Sequence, residues 1–412
     1  MEASWDRASI GPVAALVQCL KCGLLQCTTE CAGKEIEYCV RCRTPLVHCA
    51  GKSLDVALGS AAATLLLLIP ATFEPFLTTS NFGATRSSVL PSSAFDLWHQ
   101  GWPLLGMVVF LFVVLFPAIR FTALTAVLSA IRFRARPRWL GGTFRVANAL
   151  QTWAMLDVFA LGSAVAYGRM HASLNVTINA GAVCLMGAAL LSLIARAALD
   201  KRQVWRLISP DAASDVASSS IVCLSCDFIA SADREGKHCP RCSAIMRARR
   251  PDGTSRSMAL LITAVLLYLP ANLYTIATIP IDLKPTAYTV VGGIIDLSRS
   301  RLIGLAILVF CASFAIPILK MAGLSWCALS TRSNKQLIGK TRVYRVIEEI
   351  GRWSMVDPFT IACFAPVMHF SSLIDGRAGP AATPFAAVVI LTTLAVKCFE
   401  PRGMWDRAGY ST

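Results

Sequence analysis

Eight of the sixteen cysteines stand in four C-x-x-C pairs, and their spacing names a chemistry before any element is assigned. Cys19-Leu-Lys-Cys22 is followed, after sixteen residues, by Cys39-Val-Arg-Cys42. Cys223-Leu-Ser-Cys226 is followed, after twelve, by Cys239-Pro-Arg-Cys242. A C-x-x-C turn aims two thiolates at one point, and two such turns supply the four sulfurs of a tetrahedral metal site. The pattern predicts two Zn²⁺ ions, with iron open as the alternative because rubredoxin-like centres use the same donor set. Four protein sulfurs leave no position for water, so each site reads as structural rather than catalytic. Cys27, Cys31 and Cys49 lie near the first cluster and read as unengaged thiols.

A second set of capable residues is ionisable and sits within apolar sequence: Arg120, Asp157, Lys320 and Asp357. A charge at mid-bilayer costs about 2.5–3.5 kcal/mol on insertion scales and faces a partner or a wet cavity. Two cations and two carboxylates predict a polar network paired within each half of the chain. It reads either as a salt bridge that fixes helix register or as a proton relay or head-group lining. Pro70, Pro117, Pro270 and Pro317 are expected to kink helices and free carbonyl groups. Gly-x-Ser-x-Gly, His-Glu-x-x-His and the dinucleotide fingerprint do not occur, so no enzyme is predicted. Gly339-Lys340-Thr341 resembles the end of a P-loop, but Asn334 replaces its first glycine, and the segment reads as a basic cytosolic loop.

The elements that must hold these residues follow from hydropathy. Of 412 residues, 55% are hydrophobic and 15% charged, against about 25% charged in soluble proteins. Mean hydropathy is +0.58. The expectation is an all-α polytopic membrane protein, since about 20 apolar helical residues cross a bilayer. Eight spans are predicted: Val56 to Phe73, Trp102 to Ile131, Val146 to Gly168, Ala172 to Ala195, Ser257 to Ile281, Leu302 to Thr331, Trp353 to Ile374, and Ala378 to Val396.

Charge placement orients them. The net charge of +15 concentrates in the loops near 132–145, 196–256 and 332–352, while the opposite loops hold few cations. The positive-inside rule then places both termini and all four cysteine pairs in the cytoplasm, where disulfides are disfavoured. No basic stripe with interleaved aromatics appears, so nucleic acid is not an expected partner.

The chain also repeats with a period of 200 residues. Cys39 and Cys42 return as Cys239 and Cys242, Pro70 as Pro270, Pro117 as Pro317, and Arg145 as Arg345. Trp153, Met155 and Asp157 return as Trp353, Met355 and Asp357. Four spans per half give both halves one orientation, hence two parallel four-helix repeats about an axis along the membrane normal. The expected domains are a zinc ribbon at 1–53, a transmembrane repeat at 54–200, a second ribbon at 201–253 and a second repeat with a cytosolic tail at 254–412.

Two four-cysteine ribbons, each ahead of four spans, combine with Gly351-Arg-Trp-Ser-Met-Val-Asp357, Pro317-Ile-Leu-Lys320, Pro270-Ala-Asn272, Phe399-Glu-Pro-Arg402 and Trp405-Asp406. This combination resembles the paraquat-inducible protein A family of bacterial inner-membrane proteins. The first half departs from it, with Pro70-Ala-Thr72, Arg120 in place of lysine, and Gln151-Thr152 before the tryptophan. The resemblance implies phospholipid trafficking between the inner and outer membranes of a Gram-negative cell, beside a periplasmic MCE-domain partner that forms a tunnel. It further implies that Lys320, Asp157 and Asp357 join a transmembrane polar network and that the ribbons are cytosolic zinc modules. Two other functions stay open at this point: a membrane-anchored redox or metal sensor, and a proton-coupled exporter of small solutes.

Overall fold

Ser53 starts the first long helix by accepting a hydrogen bond from the Val56 amide at 3.4 Å. An Ala- and Leu-rich run then stays helical to Phe73, with Pro70, which has no N–H to give, inside its last turn. Such runs build most of the chain. The computed structural model describes residues 15–28, 36–48, 53–81, 84–99, 102–170, 175–209, 220–275, 277–281, 284–299, 303–330, 336–364, 369–371, 374–375 and 377–410.

Among the described residues the first half holds α1 (Leu54–Phe73), α2 (Leu90–His99), α3 (Pro103–Arg132), α4 (Leu140–Leu150), α5 (Leu156–Met170), α6 (Ala180–Ala198) and α7 (Lys201–Ile208). The second half returns the series as α8 (Gly253–Leu273), α9 (Val290–Arg299), α10 (Ile303–Leu329), α11 (Leu337–Ile350), α12 (Val356–Phe364), α13 (Ala382–Cys398) and α14 (Arg402–Trp405). Each helix is thus seven places from its repeat mate. By length and composition α1, α3, α6, α8 and α10 can each cross a membrane, and α13 with the bent segment after it makes a sixth candidate. The 13 residues Leu156–Gly168 of α5 form a shorter apolar helix.

The halves meet through equivalent residues. Phe159 and Phe359 pack edge to face at 5.5 Å between centroids, and Ser163 Oγ lies 3.3 Å from Cys363 Sγ. Contact between a residue and its own repeat mate occurs only beside a two-fold axis, so the pseudo-dyad runs between α5 and α12. Gly162 permits this approach, since a Cβ there would stand 3.1 Å from the Phe359 Cβ and 3.2 Å from the Val356 carbonyl.

Several expected boundaries move. The span predicted from Val146 is two helices, because the chain turns at 151–155 and α5 starts only at Leu156. Asp157 thereby falls in the first turn of a helix, where the dipole favours a carboxylate. The Gly339-Lys340-Thr341 segment is helical within α11. There Lys340 donates to the Ser330 carbonyl at 2.7 Å, and Thr341 accepts from the Trp405 indole at 3.2 Å.

The fold is also not all-α. Strand β1 (Ala15–Gln18) pairs with β2 (Leu25–Thr28), and β3 (Ile36–Tyr38) with β4 (Pro45–His48), each antiparallel. Beyond α1, β5 (Leu77–Asn81) pairs with β6 (Ala84–Ser88) and, from far along the chain, with β7 (Asn175–Ile178). The second half repeats these features. β8 (Ser220–Val222) pairs with β9 (Ile229–Ser231). β10 (Ala277–Ile281) lies between β11 (Lys284–Tyr288) and, past β12 (His369–Ser371) and β13 (Ile374–Asp375), β14 (Arg377–Ala378). Threonine-rich stretches of four or five residues suit a strand, but their third partner comes from a distant segment that hydropathy does not reveal.

Candidate functional site

Each cysteine cluster is built by two turns of one design. In each turn the amide one residue past the second cysteine closes the loop: the Gly23, Arg43, Asp227 and Ser243 amides donate back to the carbonyls of Cys19, Cys39, Cys223 and Cys239 at 2.8–3.0 Å. Those four donors all have left-handed backbone, with φ between 55° and 79°. The turn leaves the thiols converging. Cys19 and Cys42 Sγ are 3.5 Å apart, as are Cys22 and Cys39, while Cys223–Cys242 and Cys226–Cys239 stand at 3.5 and 3.6 Å. A tetrahedral ion about 2.3 Å from each sulfur separates them by about 3.8 Å, whereas a disulfide needs about 2.05 Å. All eight are buried free thiols, and each group of four lies within 4.8 Å. The residues present therefore fit a four-coordinate metal ion. Cys27 is exposed and outside the cluster; Cys31 and Cys49 lie outside the described residues.

The ribbons dock crosswise. The first lies against the second half: Lys21 pairs with Glu348 of α11 at 2.5 Å and stands over the Tyr344 ring, and Arg345 donates to the Arg43 carbonyl at 3.3 Å. The second lies against the first half, with Arg202 of α7 near Asp227 at 3.8 Å. Gly141 at the start of α4 leaves room for the Arg241 carbonyl, which any Cβ would strike.

Lys320 is buried within α10, and its Nζ donates to the Gly351 carbonyl at 3.0 Å, Ser354 Oγ at 3.3 Å and Thr393 Oγ1 at 3.5 Å. Gly351 seats the lysine stem, since a Cβ there would approach Lys320 Cε to 3.4 Å. In the first half Gln151, Ala154 and Leu193 hold the matching positions, so Arg120 has no such cradle. It is buried with its guanidinium over the Phe121 ring at 4.8 Å.

The expected pairing within each half is therefore not made by Arg120. Asp157 binds Arg196 of α6 through Oδ2 at 3.2 Å, and through the same oxygen it binds Arg352 of the other half. Asp357 occupies the matching place in α12, with its side chain outside the described residues. Arg196, Arg352, Ser354 and Thr393 were not legible as site residues from composition. Arg352 stands inside the repeated tryptophan motif, and that adjacency was the available signal. Pro70 and Pro270 lie in the last turns of α1 and α8. Pro117 and Pro317 each follow a π-helical turn, Phe110–Leu115 and Cys311–Ala315, in the middle of α3 and α10.

Between the halves, at the end of the bundle that carries the ribbons, a cavity of about 300 Å³ is lined by residues of both, including Gln151, Arg196, Lys201, Lys320, Arg352 and Lys397. It brings Lys320 and both partners of Asp157 to one polar space.

The profile described as paraquat-inducible protein A matches residues 54–209 and again 254–409, each time starting at or near the first helix of a half. The chain is 29% identical over 395 residues to "Lipophilic envelope-spanning tunnel protein A" of Escherichia coli K12, covering 94% of this chain and 91% of that protein. It is 28% identical over 404 residues to "Intermembrane transport protein PqiA" of the same strain, covering 95% of both. A "Probable intermembrane transport protein" of Haemophilus influenzae is 23% identical over 406 residues, covering 96% of each. No solved structure matches the chain. With both helical halves matched by one profile, the chain belongs to the paraquat-inducible protein A family.

Proposed function

We propose that this protein is the inner-membrane subunit of an intermembrane phospholipid transport system. In this reading it passes lipid between the inner membrane and a periplasmic MCE-domain tunnel, and so supports outer-membrane integrity. The observation that carries the reading is Lys320, a buried cation whose Nζ donates to three neutral acceptors and which lines a cavity shared by both halves. A buried, hydrogen-bonded lysine in a span is a functional feature, because its insertion is otherwise unfavourable. Names of relatives aligned over more than 90% of their length point to intermembrane transport.

Around this core we place eight spans, with the short α5 and α12 as the third and seventh. The ribbons bind zinc, and both termini face the cytoplasm. We keep the four-part division at 53, 200 and 253 as part of this reading, although the helix Lys201–Ile208 and the family match to residue 209 lie with the first half. The chain has no catalytic role in this reading. Buried ribbon sulfurs disfavour the redox-sensor alternative, since sensor cysteines are accessible.

The test is in-cell photocrosslinking to labelled phospholipid. A probe at Thr393, which faces Lys320, is compared with one at Ile318, which is exposed on the outside of α10. Adducts at both positions, with Lys320→Ala abolishing only the Thr393 adduct, are expected. Labelling at Ile318 alone would leave the Lys320 site as dry packing or an ion path and overturn the reading.

A further inference from the structure

Among the described residues, the cavity between the halves carries more positive charge than its own partners neutralise. Five cationic side chains line it, Arg196, Lys201, Lys320, Arg352 and Lys397, against the carboxylates of Glu348 and Glu349. Glu348 is already held by Lys21 at 2.5 Å. Asp157, just behind the wall, offers Oδ2 to both Arg196 and Arg352. Among the described residues the Nε groups of those two arginines are buried without a hydrogen-bond partner. Buried guanidinium donors left unsatisfied are costly.

We propose that this cavity is a binding site for an anionic phosphate group, held by Arg196, Arg352 and Lys201. A tetrahedral oxyanion supplies both missing quantities, negative charge and acceptor oxygens, and the planar fork of arginine matches it. The position suits a ligand arriving from the membrane boundary. Arg196 and Lys397 stand in the last turns of α6 and α13, and Lys201 starts the next helix. The phosphate can belong to the head group of an anionic phospholipid or to free inorganic phosphate. The site is argued from charge and geometry alone and does not depend on lipid moving between membranes.

The test uses the full-length protein in a non-ionic detergent. Native mass spectrometry follows retention of phosphatidylglycerol and phosphatidylcholine offered together, and a thermal-shift titration follows inorganic phosphate. Arg352→Gln also unpairs Asp157, so the exposed Lys201→Gln, which leaves that pair intact, serves as the second variant. Arg136→Gln, on an exposed loop, is the control. Unchanged elution volume and a cooperative thermal unfolding transition certify that each variant is folded. Preferential retention of phosphatidylglycerol, reduced about tenfold by Arg352→Gln and several-fold by Lys201→Gln but not by Arg136→Gln, supports a head-group site. Stabilisation by inorganic phosphate with the same dependence on the variants supports the site with a free anion as its ligand. Equal retention of both lipids with no response to phosphate overturns the proposal, as does binding to both variants at the level of the control.

Discussion

Asp157 shows how much one side chain can hold together. Its Oδ2 joins an arginine from each half, while Oδ1 is buried without a partner among the described residues. Removing one member of a buried ion cluster costs about 3–5 kcal/mol, because the remaining charges stay buried. Asp157→Asn is therefore expected to lower the stability of the protein in detergent by that order. Urea unfolding monitored by tryptophan fluorescence would show it, and a loss below about 1 kcal/mol would mean the arginines find other partners. Lys320 has the opposite character. Among the described residues its hydrogen bonds go to neutral oxygens, those of Gly351, Ser354 and Thr393.

At the scale of elements, the junction from α13 to α14 holds a compact ion pair. Arg402 donates to Glu400 through Nε at 2.8 Å and through Nη2 at 3.3 Å, and both residues are buried. Burial pushes the Glu400 carboxyl up, but the hydrogen bond and charge of Arg402 outweigh it and hold the group below its usual range. The folded protein then binds this proton less readily than the unfolded chain. The stabilisation is complete above the ordinary glutamate value of about 4.3 and is lost as pH falls through the depressed folded value. Glu400→Gln is expected to lose about 3 kcal/mol at pH 7. The difference from the parent protein should shrink as the pH is taken below about 4. A gap that stays constant down to pH 3 would show that Arg402, not the ionised carboxylate, sets the effect. The cap of α7 is simpler. Asp200 accepts from the Arg202 and Gln203 amides at 2.9 and 3.3 Å, and Asp200→Ala should cost about 1 kcal/mol in the same unfolding measurement.

For the whole molecule the crossed docking of the ribbons has a measurable consequence. Cys39→Ser removes one sulfur of the first cluster, whose ribbon leans on α11 through Lys21 and Glu348. Hydrogen-exchange protection should fall in residues 337–350 and hold in 140–150. Cys239→Ser should do the reverse, because the second ribbon covers the start of α4 at Gly141. Loss of protection in the half that follows each ribbon in sequence would contradict the crossed arrangement.

By itself the sequence determined what is local or periodic. Thiol spacing of two residues specifies a turn, so the clusters of Cys19, Cys22, Cys39 and Cys42 and of Cys223, Cys226, Cys239 and Cys242 were readable without a fold. The 200-residue period announced the duplication, and the apolar runs announced most of the long helices. Only the tertiary structure decided which distant segments meet. That Asp157 would bind Arg352, that Gly351, Ser354 and Thr393 would cradle Lys320, and that each ribbon would rest on the other half are relations between residues far apart in the chain. The physical reason is that burial and charge pairing act through space. Hydropathy records how much of a segment leaves water, and carries no record of the neighbour that it meets there.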